Sequence, residues 1–279
     1  MISIIICSRK PSLSNALCQN IEQTIGETYE TVCVDSTARG LSIYEAYNQG
    51  VQQAKGEYLV FMHDDIVFRT QNWGRIISQS LEDKKTGIVG VLGGHIIDET
   101  SYSWTSSGYY SGQVIQIMHG QQTVYNHNED GLGSKVVALD GMLLAIRKEL
   151  FDKQILNWDD KTYKGFHFYD LDICMQAISH GYNVQVDPVL IEHHSTGAFN
   201  LTFYDNCKLF HQKWDSRLPI HSPAITPAMQ KIAYQTATNK ICAQGKAIAI
   251  HNQLMNRTPY KLITKLLLLC GIDPYKTHG

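Results

Sequence analysis

The chain lacks the marks of several function classes. Its seven cysteines are scattered among 279 residues, with no C-x-x-C pair and an odd count. That argues against a disulfide framework and fits a reducing compartment, so the expected location is cytoplasmic. Cys7, Cys33, Cys174 and Cys242 stand in apolar contexts, where cysteine acts as a small hydrophobe. The net charge is −2, without the basic excess that marks a nucleic-acid partner. No apolar run is long enough to span a bilayer. The run near the start, Ile2 to Cys7, is too short for a signal peptide and nothing basic precedes it. There is no internal repeat or low-complexity tract. No G-x-G-x-x-G follows the first apolar run and no G-x-S-x-G occurs. Gly131 to Lys135 falls short of a phosphate loop and reads as a surface turn.

What is present supports a substantial core. Apolar residues make up 43% and charged residues 18%, in a length that fits one large domain or a domain with an appendage. Ile2 to Cys7 is a β-branched run of the kind found in strands buried on both faces. A helix follows, with Leu13, Ala16, Leu17 and Ile21 at helical spacing and Ser12 as its expected N-cap. Thr31 to Val34 reads as a strand ending at Asp35. Ser42 and Glu45 form a capping box for the next helix. Its buried face is Ile43, Tyr47, Val51 and Ala54, with Gly56 as the expected stop. Tyr58 to Met62 is a third strand. This β-α-β-α-β order predicts a parallel sheet with right-handed crossovers. Gly87 to Leu92 and Val136 to Ile146 read as further strands, the latter broken at Asp140 and Gly141. The Gly-, Ser-, Tyr-, Asn- and Gln-rich stretch 94–135 between them is expected to be a functional loop region with a hairpin. Asp170 to His180 reads as a helix stopped by Gly181, and Val184 to Ile191 as a strand that Pro188 demotes to an edge. Residues 224–256 look helical and polar, and Thr258-Pro259 starts a last helix ending at Gly271.

The third strand ends on two adjacent carboxylates, Asp64 and Asp65. Such a pair suits a hard divalent cation holding a diphosphate, although acid pairs are also common in turns. Asp35, at the end of the second strand, can accept from a base or ribose, or simply form a turn. Asp170 can cap its helix or act as a general base, and the roles compete because a capping carboxylate is a weaker base. Asp172 falls in the first turn, where the helix dipole favours an acid. His193 and His194, before Ser195 and Gly197, are candidate metal ligands.

In order along the chain, several segments resemble the large family of inverting glycosyltransferases with the GT-A fold (the glycosyltransferase 2-like family). These are Leu41-Ser42, Ala46-Tyr47-Asn48-x-Gly50, Ala54-Lys55-Gly56-Glu57-Tyr58 and Phe61-Met62-His63-Asp64-Asp65. Asp140-Gly141-Met142-Leu143 with Arg147-Lys148-x-Leu150-Phe151 is similar to that family's acceptor-side segment. Phe168-Tyr169-Asp170-Leu171-Asp172 resembles its acidic catalytic motif, and the tandem histidines its late metal-site histidine. The chain departs from the pattern at three places. His63 stands where an acid triplet is often D-x-D, Tyr47 where many members have Arg, and Tyr169 where Glu is common.

The resemblance implies an α/β fold of GT-A type, with a mostly parallel central sheet flanked by helices and a helical C-terminal extension. It implies a transferase domain over 1–215, with a nucleotide-binding half at 1–93 and an acceptor half at 94–215, and the extension at 216–279. Ser8, Asp35, Asn48, His63 and Asp64 would bind the nucleotide sugar. Asp65, with one of His193 and His194, would hold Mn²⁺ or Mg²⁺. Asp140, Gly141, Tyr169 and Asp172 would meet the acceptor, and Asp170 would be the base. The partners are then a nucleoside-diphosphate sugar and a glycan or glycoconjugate acceptor. Processive synthases carry Gln-x-x-Arg-Trp, which His211-Gln212-Lys213-Trp214 echoes only in part, so one sugar per encounter is expected. Two other readings fit parts of the sequence. A nucleotidyltransferase should carry a Gly-rich, Arg-containing loop where this chain has Ser8-Arg9-Lys10-Pro11. A non-catalytic sugar-binding protein on the same fold would fit the lost Arg and Glu. The last helix, with Leu262, Ile263, Leu266, Leu267, Leu269 and Cys270 on one face, reads as a packing or homodimer contact, or as a peripheral membrane anchor.

Overall fold

A computed structural model describes residues 1–99, 101–127, 134–195, 201–233 and 235. The first half runs β1 (Ile2–Ser8), α1 (Asn15–Thr24), β2 (Tyr29–Asp35), α2 (Ile43–Gln53), β3 (Tyr58–Met62), β4 (Ile66–Phe68), α3 (Trp73–Glu82), β5 (Thr86–Gly90), β6 (Leu92–Gly94) and β7 (Ile96–Ile97). The second half runs β8 (Tyr110–Met118), β9 (Gln121–His127), β10 (Ser134–Val136), β11 (Ala138–Leu139), β12 (Leu143–Arg147), α4 (Lys148–Asp152), α5 (Tyr169–Ser179), β13 (Asn183–Val186), β14 (Ile191–His193), α6 (Leu201–Trp214) and β15 (Ile220–His221).

The expected β-α-β-α-β start forms as read. β1 pairs in parallel with β2 and with β3, one strand in from the edge of a seven-stranded sheet of order β10-β13-β5-β12-β3-β1-β2. Five of its strands point one way. β12 inserts antiparallel between β3 and β5, and β10 runs antiparallel on the edge. The sheet is therefore mixed, with a parallel majority. Ile2, Ile4, Ile5 and Ile6 are all fully buried, which explains the unbroken apolar run in β1: both faces are covered. Ile5, Leu59 and Phe61 belong to the apolar cluster on one face, and Ile4, Val60 and Met62 to that on the other.

A second sheet, of order β11-β6-β8-β14-β4 with β9 hydrogen-bonded to β8, joins the end of β3 to the later half of the chain. The expected hairpin in 94–135 is β8 and β9. The run Val184 to Ile191 divides into β13, in the first sheet, and β14, in the second, with Pro188 between them.

Local signals hold with some shifts. The Ser42–Glu45 capping box of α2 forms in both directions, a feature that stabilises a helix start by about 1 kcal/mol. Ser14 rather than Ser12 caps α1, accepting from the Leu17 N–H. Gly56 is not the cap of α2, which ends through Ala54. Gly56 lies where β1 and β3 approach: a Cβ there would sit 2.6 Å from the Ser3 nitrogen. Phe168, not Asp170, caps α5, with φ of 69°. That strained backbone for a bulky residue is held by packing on Phe203 and Phe210.

The boundary expected after 215 falls in the short 3-10 turn Asp215–Arg217. Beyond it, β15 pairs with β7, and Ile225 and Ala233 pack with Ile96. Residues 227–233 are helical. The last helix read from the sequence, 258–271, lies outside the described residues. Among the described residues no helix is long and apolar enough to cross a membrane.

Candidate active site and metal centre

The site forms where β3 leaves the large sheet and β4 enters the small one. Ligands favour this C-terminal edge in α/β sheets. His63, Asp64 and Asp65 make the crossing. β14 pairs antiparallel with β4, setting His193 opposite Ile66, and pairs in parallel with β8, setting His193 beside Gln116. Strand register therefore delivers His193 to Asp65 from far along the chain.

His63 Nδ1 lies 3.3 Å from His193 Nε2. Asp65 Oδ1 lies 3.4 Å from that His193 nitrogen and 3.8 Å from His63 Nδ1. This Asp65 oxygen is out of solvent and has no hydrogen-bond partner, since the His193 contact is an ion-pair distance without hydrogen-bond alignment. An orphaned buried carboxylate oxygen facing two ring nitrogens is costly unless something sits between them. One oxygen and two nitrogens converging in this way fit a divalent cation, and the remaining positions around it could take phosphate oxygens. Burial works to raise the Asp65 carboxyl, but the His193 contact and the His63 charge outweigh it and hold it below the ordinary range. Burial also lowers His63, reinforced by the charge of His193. His193 is raised, because burial is outweighed by contact with Asp65 and by the charges of Asp140 and Asp65.

The candidate base follows Tyr169, whose hydroxyl meets His63. Asp170 stands at the second position of α5 and receives the Leu171 N–H at 2.9 Å. Burial, followed by the charge of Asp140, pushes its carboxyl up to about 7. A base with such a value is poised for proton abstraction near neutrality. Asp140 is fixed in the turn before β12. Its Oδ1 accepts the Met142 N–H at 2.9 Å and its Oδ2 accepts the Trp104 indole N–H at 2.8 Å. His63 N–H in turn donates to the Met142 carbonyl at 3.1 Å, tying the two turns together. Gly141 is required by contact, since a Cβ there would lie 2.2 Å from Tyr169 Oη.

On the nucleotide side, Ser8 Oγ donates to Asp64 Oδ2 at 2.7 Å, joining the ends of β1 and β3. Asp35 Oδ1 accepts the N–H groups of Thr37 and Ala38 at 3.0 and 3.1 Å, closing a turn at the end of β2.

Several expected residues do other work. His194 turns away from the centre, to Glu192 Oε1 at 2.7 Å, so of the tandem histidines only His193 joins the cluster. His63, expected at the nucleotide sugar, sits among the candidate metal ligands instead. Asn48 donates to the Trp158 carbonyl at 2.8 Å and to Asp160 Oδ2 at 3.1 Å, which makes it a brace between α2 and the 158–160 loop. Asp172, expected at the acceptor, is 1% exposed. It accepts from Tyr163, Gln176, Lys213 and Trp214, so burial and saturation remove it from substrate reach. Tyr169, also expected at the acceptor, is buried, and its hydroxyl meets His63 Nε2 at 2.8 Å. Tyr47 is buried among Phe61, Trp158 and Tyr169, so no phosphate contact replaces the absent arginine at that position.

Sequence reasoning missed Gln116. Its carbonyl oxygen lies 3.0 Å from His193 Nδ1. Only the β8–β14 pairing singles it out from the other glutamines of its stretch.

Residues 3–213 match the profile of the family described as "Glycosyltransferase like family". The chain belongs to this glycosyltransferase-like family. A curated relative of this glycosyltransferase-like chain, "ATP synthase subunits region ORF 6" from Fuscovulum blasticum, is 26% identical over 136 residues, covering 47% of this chain and 49% of that protein. The chain thus spans about half the length of the curated relative it matches. Two solved structures are similar at a TM-score of 0.47 and 14% identity each. One is GalNAc-T7 with UDP, GalNAc and Mn²⁺, covering 70% of this chain and 44% of that one. The other is the mannosyltransferase PcManGT from Pyrobaculum calidifontis with GDP-Man and Mn²⁺, covering 98% and 86%.

Proposed function

We propose that this chain transfers a single sugar from a nucleoside-diphosphate sugar to an acceptor hydroxyl, with inversion at the anomeric carbon and dependence on Mn²⁺ or Mg²⁺. The observation that carries the reading is the convergence of His63, Asp65 and His193 on an orphaned carboxylate oxygen. The raised Asp170 beside it supports the reading.

Asp35 would receive the base of the nucleotide, and Ser8 with Asp64 its ribose. Asp65, His193 and His63 would hold the cation that binds the diphosphate. When bound, that cation supplies positive charge against the charge developing on the departing nucleoside diphosphate. Asp170 takes the proton from the acceptor hydroxyl as its oxygen bonds to the anomeric carbon. The bond from that carbon to the diphosphate oxygen breaks on the opposite face, through an oxocarbenium-like state. A single displacement of this kind inverts the centre. Asp140 raises the proton affinity of Asp170 and, through Trp104, shapes the acceptor side. The acceptor class is a glycan or glycoconjugate.

The test is a panel of nucleotide sugars offered with Mn²⁺, read first by thermal stabilisation. The donor that stabilises is then used in transfer assays with wild-type and Asp170→Asn protein. The variant should keep the stabilisation and lose transfer. No stabilisation by any donor, or full transfer by the variant, overturns the reading.

A further inference from the structure

We propose that Trp104, Tyr110 and Tyr125 form an aromatic platform on which the acceptor lays its non-reacting rings, so that the acceptor is a neutral saccharide of two or more units. The inference deepens the proposed transferase and rests on Asp140 and Asp170 marking its acceptor side.

Composition sets this stretch apart. Residues 101–127 contain no Asp, Glu, Lys or Arg, in a chain where such residues make up 18%. They offer hydroxyls, amides and aromatic rings instead. Phosphates and carboxylates are held by Arg and Lys, so a surface without either does not suit an anionic ligand or a nucleic acid. It suits a neutral molecule rich in hydroxyls. A pyranose has that character, with C–H groups on its faces and hydroxyls around its rim. The C–H groups meet the electron-rich face of an aromatic ring, and the rim bonds to the polar groups around it.

The three rings run outward from the candidate base. Trp104 comes first: its indole N–H donates to Asp140 Oδ2 at 2.8 Å, and Asp140 is the charge that acts on Asp170. The Tyr110 ring centroid lies 5.8 Å from that of Trp104, and the Tyr125 centroid 6.1 Å from that of Tyr110. Steps of this size are comparable with the width of a sugar ring. All three residues are only partly buried. Strand register places Tyr125 opposite Val114, which alternation sets on the same face of β8 as Gln116, the residue that reaches His193. The rings also rest on the apolar cluster beneath them, which gives them rigidity. Packing alone does not account for the Trp104 loop. Ser106 Oγ accepts the N–H groups of Tyr102 and Ser103 at 3.0 Å each, and Ser103 Oγ accepts that of Thr105 at 3.3 Å. Gly94 lacks the Cβ that would strike the Trp104 carbonyl. Hydroxyl-to-backbone bonds thus shape the loop, and its indole N–H is spent on an acid of the site.

The experiment uses the full chain without nucleotide or metal, titrated by calorimetry with mono-, di- and tetrasaccharides of glucose, galactose, mannose and N-acetylglucosamine. Oligogalacturonate serves as an anionic counterpart. In at least one neutral series the tetrasaccharide should bind about tenfold or more tightly than the monosaccharide, the gain expected from stacking further rings. Oligogalacturonate should bind no better than a monosaccharide. Trp104→Phe keeps a ring and should keep the dependence on length, whereas Trp104→Ala should lose it. Tyr125→Ala removes the outermost ring, so it should weaken the tetrasaccharide by about tenfold and leave the disaccharide unchanged. General damage to the fold would move both, and circular dichroism checks that the variants are folded. No dependence on length in any series, tighter binding of oligogalacturonate, or an unchanged tetrasaccharide affinity in folded Tyr125→Ala overturns the inference. The two readings fail separately. Length-dependent glycan binding in a protein that binds no nucleoside diphosphate sinks the transferase reading alone. Metal-dependent nucleotide binding without length-dependent glycan binding sinks this one alone.

Discussion

Tyr169 Oη lies 2.8 Å from His63 Nε2, so the residue next to the candidate base braces a ring of the candidate metal centre. α5 therefore presents this brace and the candidate base one residue apart. Tyr169→Phe keeps the ring packing on Tyr47 and Trp158 and removes only the hydroxyl. The expected outcome is a roughly 10- to 100-fold loss of metal affinity with little change in stability. Paired metal titrations and thermal melts check it. An unchanged affinity would make the hydroxyl contact incidental.

Asp170 sets the expected pH profile. Its proton must be off for it to act as a base, and its carboxyl is raised to about 7. Transfer should fall about tenfold per unit as pH drops below that value and level off above it. The sign for stability runs the other way. The folded pKa exceeds the unfolded one, so the folded state binds more protons between roughly pH 4 and 7. Stability should decline as pH rises through that window. Asp170→Asn should abolish transfer yet raise the Tm at neutral pH by a few degrees, about what 1 kcal/mol gives in a chain of this size. Activity and melting profiles across pH 4–9 test both arms.

Gly141→Ala probes the fit between the β12 turn and α5. The added methyl would meet Tyr169 Oη at 2.2 Å and its Cζ at 2.4 Å. The ring must shift, taking with it the brace on His63. Overpacking of this kind costs roughly 1–3 kcal/mol, and metal binding should weaken in step. A variant with native melting and native metal affinity would show that the contact yields freely.

Asp172 separates a structural acid from a functional one. Its carboxylate is buried and receives the Tyr163 hydroxyl, the Gln176 amide, the Lys213 ammonium and the Trp214 indole. Asp172→Ala leaves Lys213 and three neutral donors without their acceptor. A loss of roughly 3–5 kcal/mol is expected from breaking such a buried pair. Urea unfolding measures it. A stable variant with only a raised KM for acceptor would return Asp172 to the substrate.

Much of this arrangement is legible in the sequence. The β1 run, the capping box and the acid pair are local signals, and local physics produces them. Asp65 and Asp170 could be named because strand ends and helix starts are where ligands meet backbone. The division of labour was less legible. His193 ends β14 and His194 follows it, and which of the two faces Asp65 depends on the register of β14 against β4. Gln116 enters through the β8–β14 pairing. Asp172 resembles a site residue because its acid motif does, yet Tyr163, Lys213 and Trp214, three of its four donors, lie outside α5 and meet it only in the folded chain. Asn48 turned inward for the same reason, towards the Trp158 carbonyl.

The most direct measurement is calorimetric titration of a panel of nucleoside diphosphates into wild-type and Asp65→Ala protein, each with Mn²⁺ and each with EDTA. At least one should bind the wild type with Mn²⁺, and none should bind with EDTA or to the variant. Nucleotide binding of equal strength in EDTA, or in Asp65→Ala, would contradict a metal-dependent donor site.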